Sequence, residues 1–273
     1  MTSKSTAGSS AKTLFVILLI PIALVLGILI WKMVLGNPGN FQDGNPEMNP
    51  VPEGARHILG LMYKGGGLVG ILIGLFMIVV TMSIERYITV TRSRGKDSVE
   101  SFVAKMRNLV GNNDITGAKA ACHEQKGSVG NVVTAGLFMY EQMLVDKNLD
   151  KERKLLAIQK ELEEATTLEL PMLSKNLVII STIASLGTLT GLLGTVFGMI
   201  RAFNALAQAG APDAVALSTG ISEALWNTAL GIITSSVSII MYNYFTNKID
   251  GITYGIDEAG YTIVQSFAAR YKE

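Results

Sequence analysis

Residues 219–238 place five polar side chains on one face of a helix. With about 100° per residue and Glu223 set at 0°, Thr219 falls at about −40°, Asn227 at about +40°, Thr234 at about +20° and Ser238 at about +60°. Thr228 stands aside at about 140°. The surrounding stretch, Ile221 to Phe245, is otherwise apolar and long enough to cross a bilayer. A carboxylate inside such a span is expensive, and it marks a functional site by default. A carboxylic acid can take up and release a proton, and hydroxyls can relay one without adding fixed charge. The pattern therefore points to a polar path for a small cation, with Glu223 as the titratable group.

The apolar block before it, 177–200, carries a matching set. Ser181, Ser185, Thr188 and Thr195 share one face within about 80°. Beside them run Gly187, Gly191, Gly194 and Gly198, two small-xxx-small pairs of the kind that let helices approach closely in lipid. For any single hydroxyl the plainer reading, a hydrogen bond that glues two helices, outweighs the relay. For Glu223 function outweighs structure. The spans hold no basic residue to complement the acid, since Arg201 and Lys32 stand at span boundaries. One acid on four thin helices does not enclose a channel, so the path needs further subunits or a partner helix.

Those helices must sit in a membrane. Of 273 residues, 49% are hydrophobic and 16% charged, against about 25% charged in soluble proteins. The apolar residues cluster in four blocks, 13–31, 65–90, 177–200 and 221–245. The first is read as a retained anchor and not a cleaved signal, because its core is long and no small-residue cleavage site follows. Residues 1–12 are expected to be unstructured. Four of the seven prolines fall in 36–60, which predicts an extended or turn-rich loop, with a short amphipathic helix starting near Arg56. Glu85-Arg86 close the second span as a boundary pair able to snorkel or to pair internally.

Residues 91–175 turn polar and basic. Helical periodicity appears at Val99, Phe102, Val103, Met106 and Val110, again over 129–144, and at Leu155, Leu156, Ile158 and Leu162. Gly111-Asn-Asn-Asp114 predicts a break, with Asp114 capping the next helix. A helix over 151–169 is expected to run on through Pro171 with a kink. The tail repeats an apolar period at Ile249, Ile252, Ile256, Ile263, Val264 and Phe267.

The positive-inside rule places 91–175 and both termini in the cytoplasm. The organisation is then a cytoplasmic tail (1–12), an anchor span (13–35), a periplasmic Pro/Gly-rich loop (36–64), spans at 65–90, 176–203 and 218–245, a cytoplasmic helical domain (91–175), a periplasmic loop (204–217) and a cytoplasmic C-terminal helix (246–273). The fold class is an all-α membrane protein with four transmembrane helices, long helices extending into the cytoplasmic domain. The net charge of +1 gives no reason to expect nucleic acid. Cys122 is the single cysteine, so no intrachain disulfide forms, and Cys122-His123 fails the usual zinc spacings. Gly65-Gly-Gly67 is not a phosphate loop, because no strand precedes it and no Lys-Ser/Thr follows. No nucleophile–base pair, metal site or cofactor motif is found, so an enzyme is not expected.

At the last two spans the chain resembles the MotA/TolQ/ExbB family, most closely its ExbB and TolQ branch. The residues that carry the likeness are Gly191-Leu-Leu-Gly-Thr-Val-Phe-Gly-Met-Ile200 with Phe203, Ile221-Ser-Glu-Ala-Leu-Trp-Asn-Thr-Ala-Leu-Gly231 and Tyr242-Asn-Tyr-Phe245. Glu85-Arg86 also fits, and the likeness spans about Gly65 to Phe245. The resemblance implies an inner-membrane motor subunit of a Gram-negative envelope. It implies a homopentamer whose central pore holds the helices of two ExbD-like partners, which supply an acid of their own. Protons would drive the machine, and a TonB-like protein would carry its work to outer-membrane receptors. By motif position Glu223 is the proton-pathway acid, and Thr195 and Thr228 are the threonines that face the lumen. Thr188 and Val237 stand where the family often has proline, and the first span is additional to the usual three. Two other readings compete: a scaffold whose partner alone carries the ion, and a TolQ-like or gliding/flagellar stator driving a different load.

Overall fold

The computed structural model describes residues 4–207 and 214–270, with side chains placed from Ile17 onward. Residues 208–213 of the predicted loop and the ends of both tails lie outside the described residues. The elements are helical: α1 (Lys4–Ile30), a π turn (Trp31–Leu35), 3-10 turns at Pro38–Asn40 and Gln42–Gly44, α2 (Ala55–Lys64), α3 (Gly67–Arg94), α4 (Val99–Gly111), α5 (Ile115–Gln125), α6 (Gly127–Val145), α7 (Lys151–Ser174), α8 (Leu177–Ala207) and α9 (Ala214–Arg270). Among the described residues there is no strand, only an isolated bridge between Phe41 and Pro50. Four helical runs are long and apolar enough to cross a membrane: Ile17–Leu35, Gly67–Gly111, Lys151–Ala207 and Ala214–Arg270.

Several expectations change. Helix α1 starts at Lys4, so most of the predicted unstructured tail is helical. α9 runs 57 residues without interruption, because the apolar period at Ile249, Ile252 and Ile256 continues the helix past residue 245. Pro171 does not end α7. As expected the helix runs on through it, to Ser174, and gives way at Lys175 and Asn176.

The chain forms two compact units. The first holds residues 1–83 and 179–241. Its core is Val69, Leu72, Ile78, Val79, Met82, Ile180 and Ile183. α1 meets α3 at backbone distance: a Cβ on Gly27 would run into the Gly70 carbonyl, and one on Gly74 would sit 2.9 Å from Leu24 Cα. Gly70 and Gly74 are four residues apart, so both lie on one face and admit the neighbouring helix. From Ile17 onward α1 otherwise presents mostly exposed aliphatic side chains, Ile17, Ile22 and Val25 among them.

Between α1 and α3 the predicted loop is a built lobe. The Trp31 indole N–H donates to the Tyr63 carbonyl at 3.1 Å, and the two rings stack at 5.0 Å. Phe41 is buried and packs edge-on against Tyr63. Asn40 donates to the carbonyls of Val34 and Leu35, satisfying the end of the π turn. Lys64 reaches the Glu47 carbonyl at 3.0 Å; burial lowers its pKa, with Glu47 opposing.

The second unit holds residues 84–178 and 242–273. Val99, Phe102, Val103, Met106 and Val110 are all buried, as their period predicts, and so are Ile249, Ile252, Ile256, Ile263 and Phe267. Tyr140 packs edge-to-face on Phe267 at 5.1 Å. Asp114 accepts from the Gly117 N–H at 2.8 Å and caps α5. Leu156 departs from expectation and is exposed, while Lys154 is buried and donates to the Asp146 carbonyl.

The boundary pair is internal. Arg86 is buried, and its guanidinium donates to both carboxylate oxygens of Glu85 at 2.6 Å and to the Leu173 carbonyl at 3.0 Å. Asn176 and Thr89 also donate to Glu85. Arg86 thereby caps the C-terminal carbonyls of α7, groups that the helix cannot satisfy itself.

Candidate functional site

α8 and α9 pack through their small residues. A Cβ on Gly187 would meet Ser235, one on Gly191 would meet Asn227 and Gly231, one on Gly194 would run into Asn227, and one on Gly198 would meet Ala224 and Gly220. Gly220 and Gly231 answer from α9, facing Ala202 and Gly187. The seam is glycine against glycine, which brings side-chain hydroxyls to the opposite backbone.

Along that seam the polar residues divide into two groups. The face predicted as one stripe turns inward: Glu223, Asn227, Thr234 and Ser238 are buried. Asn227 donates to the Gly65 carbonyl at 2.7 Å and to the Glu223 carbonyl at 3.0 Å. Ser238 donates to the Ile180 carbonyl at 2.5 Å. Thr219 bonds the Val215 carbonyl one turn back, and Ser185 is exposed. Ser181 has a partner within the described structure. Ser235, absent from the sequence reading, accepts from Thr188 at 2.8 Å.

Thr195 and Thr228 form the second group. Their hydroxyls bond each other across the seam, and both lie within reach of the Gly191 carbonyl, at 3.3 and 3.5 Å. Both are half-buried. The angle that set Thr228 apart from Glu223 thus has a structural counterpart: Thr228 meets Thr195 midway along α8, while Glu223 lies against Gly66 just before α3.

Glu223 is not alone. Arg201, near the end of α8, places Nη1 at 2.7 and 2.8 Å from its two carboxylate oxygens. The carboxylate side chain is 7% exposed and the arginine 64%. The expectation that no basic residue complements the acid is therefore overturned, because a boundary arginine is long enough to reach one turn inward. Gly66 lies against this pair, and a Cβ on it would come within 3.6 Å of Arg201 Nη1. A Cβ there would lie 2.5 Å from Glu223 Oε1, and its φ of +79° is a conformation glycine adopts freely. The Gly65-Gly66 pair is thus a wall of the site. Sequence reasoning tested this triplet only as a phosphate loop, and its juxtaposition with Glu223 left no local signal.

A carboxylate, a guanidinium and a bonded threonine pair on a glycine seam form an arrangement able to bind and pass on a small cation. Residues 129–258 match the model of the MotA/TolQ/ExbB proton channel family.

This chain carries a MotA/TolQ/ExbB domain.

The matched residues hold Glu223, Arg201, Thr195 and Thr228, and leave α1, the lobe and α3 outside. The chain is 39% identical over 77 residues to the biopolymer transport protein ExbB of Aquifex aeolicus, covering 28% of this chain and 52% of that protein. It is 40% identical over 78 residues to ExbB of Helicobacter pylori, covering 29% and 54%. It is 26% identical over 120 residues to the Tol-Pal system protein TolQ of Pseudomonas aeruginosa, covering 44% and 52%. The chain thus spans about half the length of these relatives.

Proposed function

We propose that this protein is an ExbB-like proton-channel and motor subunit of a bacterial inner membrane. With an ExbD-like partner it converts the proton motive force into mechanical work for TonB-dependent outer-membrane transport. Glu223 exchanges the proton, and the Thr195–Thr228 pair lines the path. The observation that carries this reading is the bonded threonine pair on the α8–α9 seam, in the domain that also holds the buried acid. In this reading a homopentamer surrounds partner helices, and the exposed side chains of the two helices, such as Leu189, Leu192, Phe197 and Phe203 on α8 and Leu225 and Ile232 on α9, are the apolar surface that lipid and further helices cover. The basic segment 91–175 and both termini then face the cytoplasm.

The test is proton flux through the complex reconstituted with its small partner. Glu223→Gln abolishes flux while the assembly survives. Unchanged flux and unchanged transport in that variant would remove Glu223 from the path.

A second reading has one observation behind it. Arg201 occupies both oxygens of Glu223, as it would in a scaffold whose partner alone carries the ion. A TolQ-like stator shares the engine and differs in load, and copurification with a TonB-like or a Tol-type protein separates the two.

A further inference from the structure

The lobe between α1 and α3 lies outside the matched family segment, yet its last residues touch the acid. Asn227 is the link. Its side chain is fully buried, and both amide hydrogens are committed to carbonyls, one on Gly65 and one on Glu223. That pattern also fixes the amide orientation, because its oxygen would face two carbonyls if reversed. The oxygen itself is buried and has no hydrogen-bond partner among the described residues. Gly65 is held in turn from the lobe side: Trp31 donates to the Tyr63 carbonyl and stacks on its ring, two residues upstream. The Gly66 backbone is then pressed against the Glu223–Arg201 pair, beside both side chains.

We propose that the lobe is a positioning element for Glu223: Trp31 and Asn227 hold the Gly65-Gly66 turn against its carboxylate and keep it in register with Arg201. The contact works through geometry. Gly66 cannot carry a side chain without displacing Oε1, so the turn leaves the carboxylate one place to sit. Loosening the turn frees the acid from one wall and lets it leave the arginine. Anything that moves α1 or the lobe reaches the same carboxylate through Tyr63.

The proposal concerns the same acid as the proposed function, and its test does not read proton flux, so the two fail separately. The full-length chain in lipid nanodiscs is compared as wild type, Asn227→Ala, Trp31→Ala and Trp31→Phe. Two quantities are read at Glu223. One is the rate of modification by a hydrophobic carbodiimide, located by mass spectrometry. The other is the carboxylate stretching band, taken as the infrared difference against Glu223→Gln. Asn227→Ala and Trp31→Ala each raise the labelling rate at least about threefold, a local-opening effect, and shift the carboxylate band. Trp31→Phe keeps the stack, loses the donor, and falls between. Arg201→Gln serves as the positive control for a freed carboxylate. If Asn227→Ala does not fold, Trp31→Ala decides alone. Labelling and band both at wild-type values in a folded Trp31→Ala protein would overturn the proposal. So would a loss of thermal stability with no change at Glu223, since that is what a merely structural contact predicts.

Discussion

Arg201 Nη1 sits between the two carboxylate oxygens of Glu223, at 2.7 and 2.8 Å. One partner is buried and the other mostly exposed. The pair is therefore asymmetric: the acid depends on the arginine, while the arginine can turn to solvent.

Arg201→Gln should follow from that asymmetry. It leaves a buried carboxylate with one fewer charged donor, which costs about 1–3 kcal/mol. Unfolding in mixed micelles measures the loss. The same variant in the reconstituted complex alters proton flux, because the acid no longer has to part from a guanidinium before taking another partner. Wild-type stability together with wild-type flux would show that the pair is incidental.

Glycine substitutions should carry opposite signs at two sites. Gly194 has the Asn227 side chain where a Cβ would go, whereas Gly251 has nothing within 4 Å. Gly194→Val overpacks the α8–α9 seam and destabilises by about 1–3 kcal/mol. Gly251→Ala gains about 0.5–1 kcal/mol from the helix interior. The same unfolding assay reads both, and equal effects would contradict the packing described for the seam.

Cys122 gives the pH-dependent prediction. The thiol is buried beside Met106, and burial pushes its pKa up to about 11, against a smaller lowering by Thr134. The folded chain therefore holds the thiol proton more tightly than the unfolded chain. The stability this contributes is complete below pH 9.0 and is lost as pH rises toward about 11. Maleimide modification of the native protein near neutral pH is slow, at least about a hundredfold below the unfolded rate. Cys122→Ser flattens the alkaline limb of stability against pH. Rapid labelling of the native protein at pH 7 would contradict this environment.

What the sequence determined by itself was most of the helices and the presence of one carboxylate in an apolar span. Hydrophobic period and block length fix α4, α8 and the buried face of α9 from local information, and a carboxylate in an apolar span stands out without any partner. Helical angles also separated Thr228 from Glu223 and set the four α8 glycines on one face. Tertiary structure decided what those residues meet. Arg201 and Glu223 lie on different helices, and the 2.7 Å contact depends on how those helices pack. Gly66 and Asn227 lie in different helical hairpins, joined by a hydrogen bond between residues 162 positions apart for Gly65 and Asn227. Such contacts leave no periodic trace along the chain, because a side chain's neighbours across a seam are set by helix crossing and not by its own flanking residues. The same reason hid the lobe: prolines and glycines announced a loop, whereas the stacking of Trp31 on Tyr63 joins residues 32 positions apart.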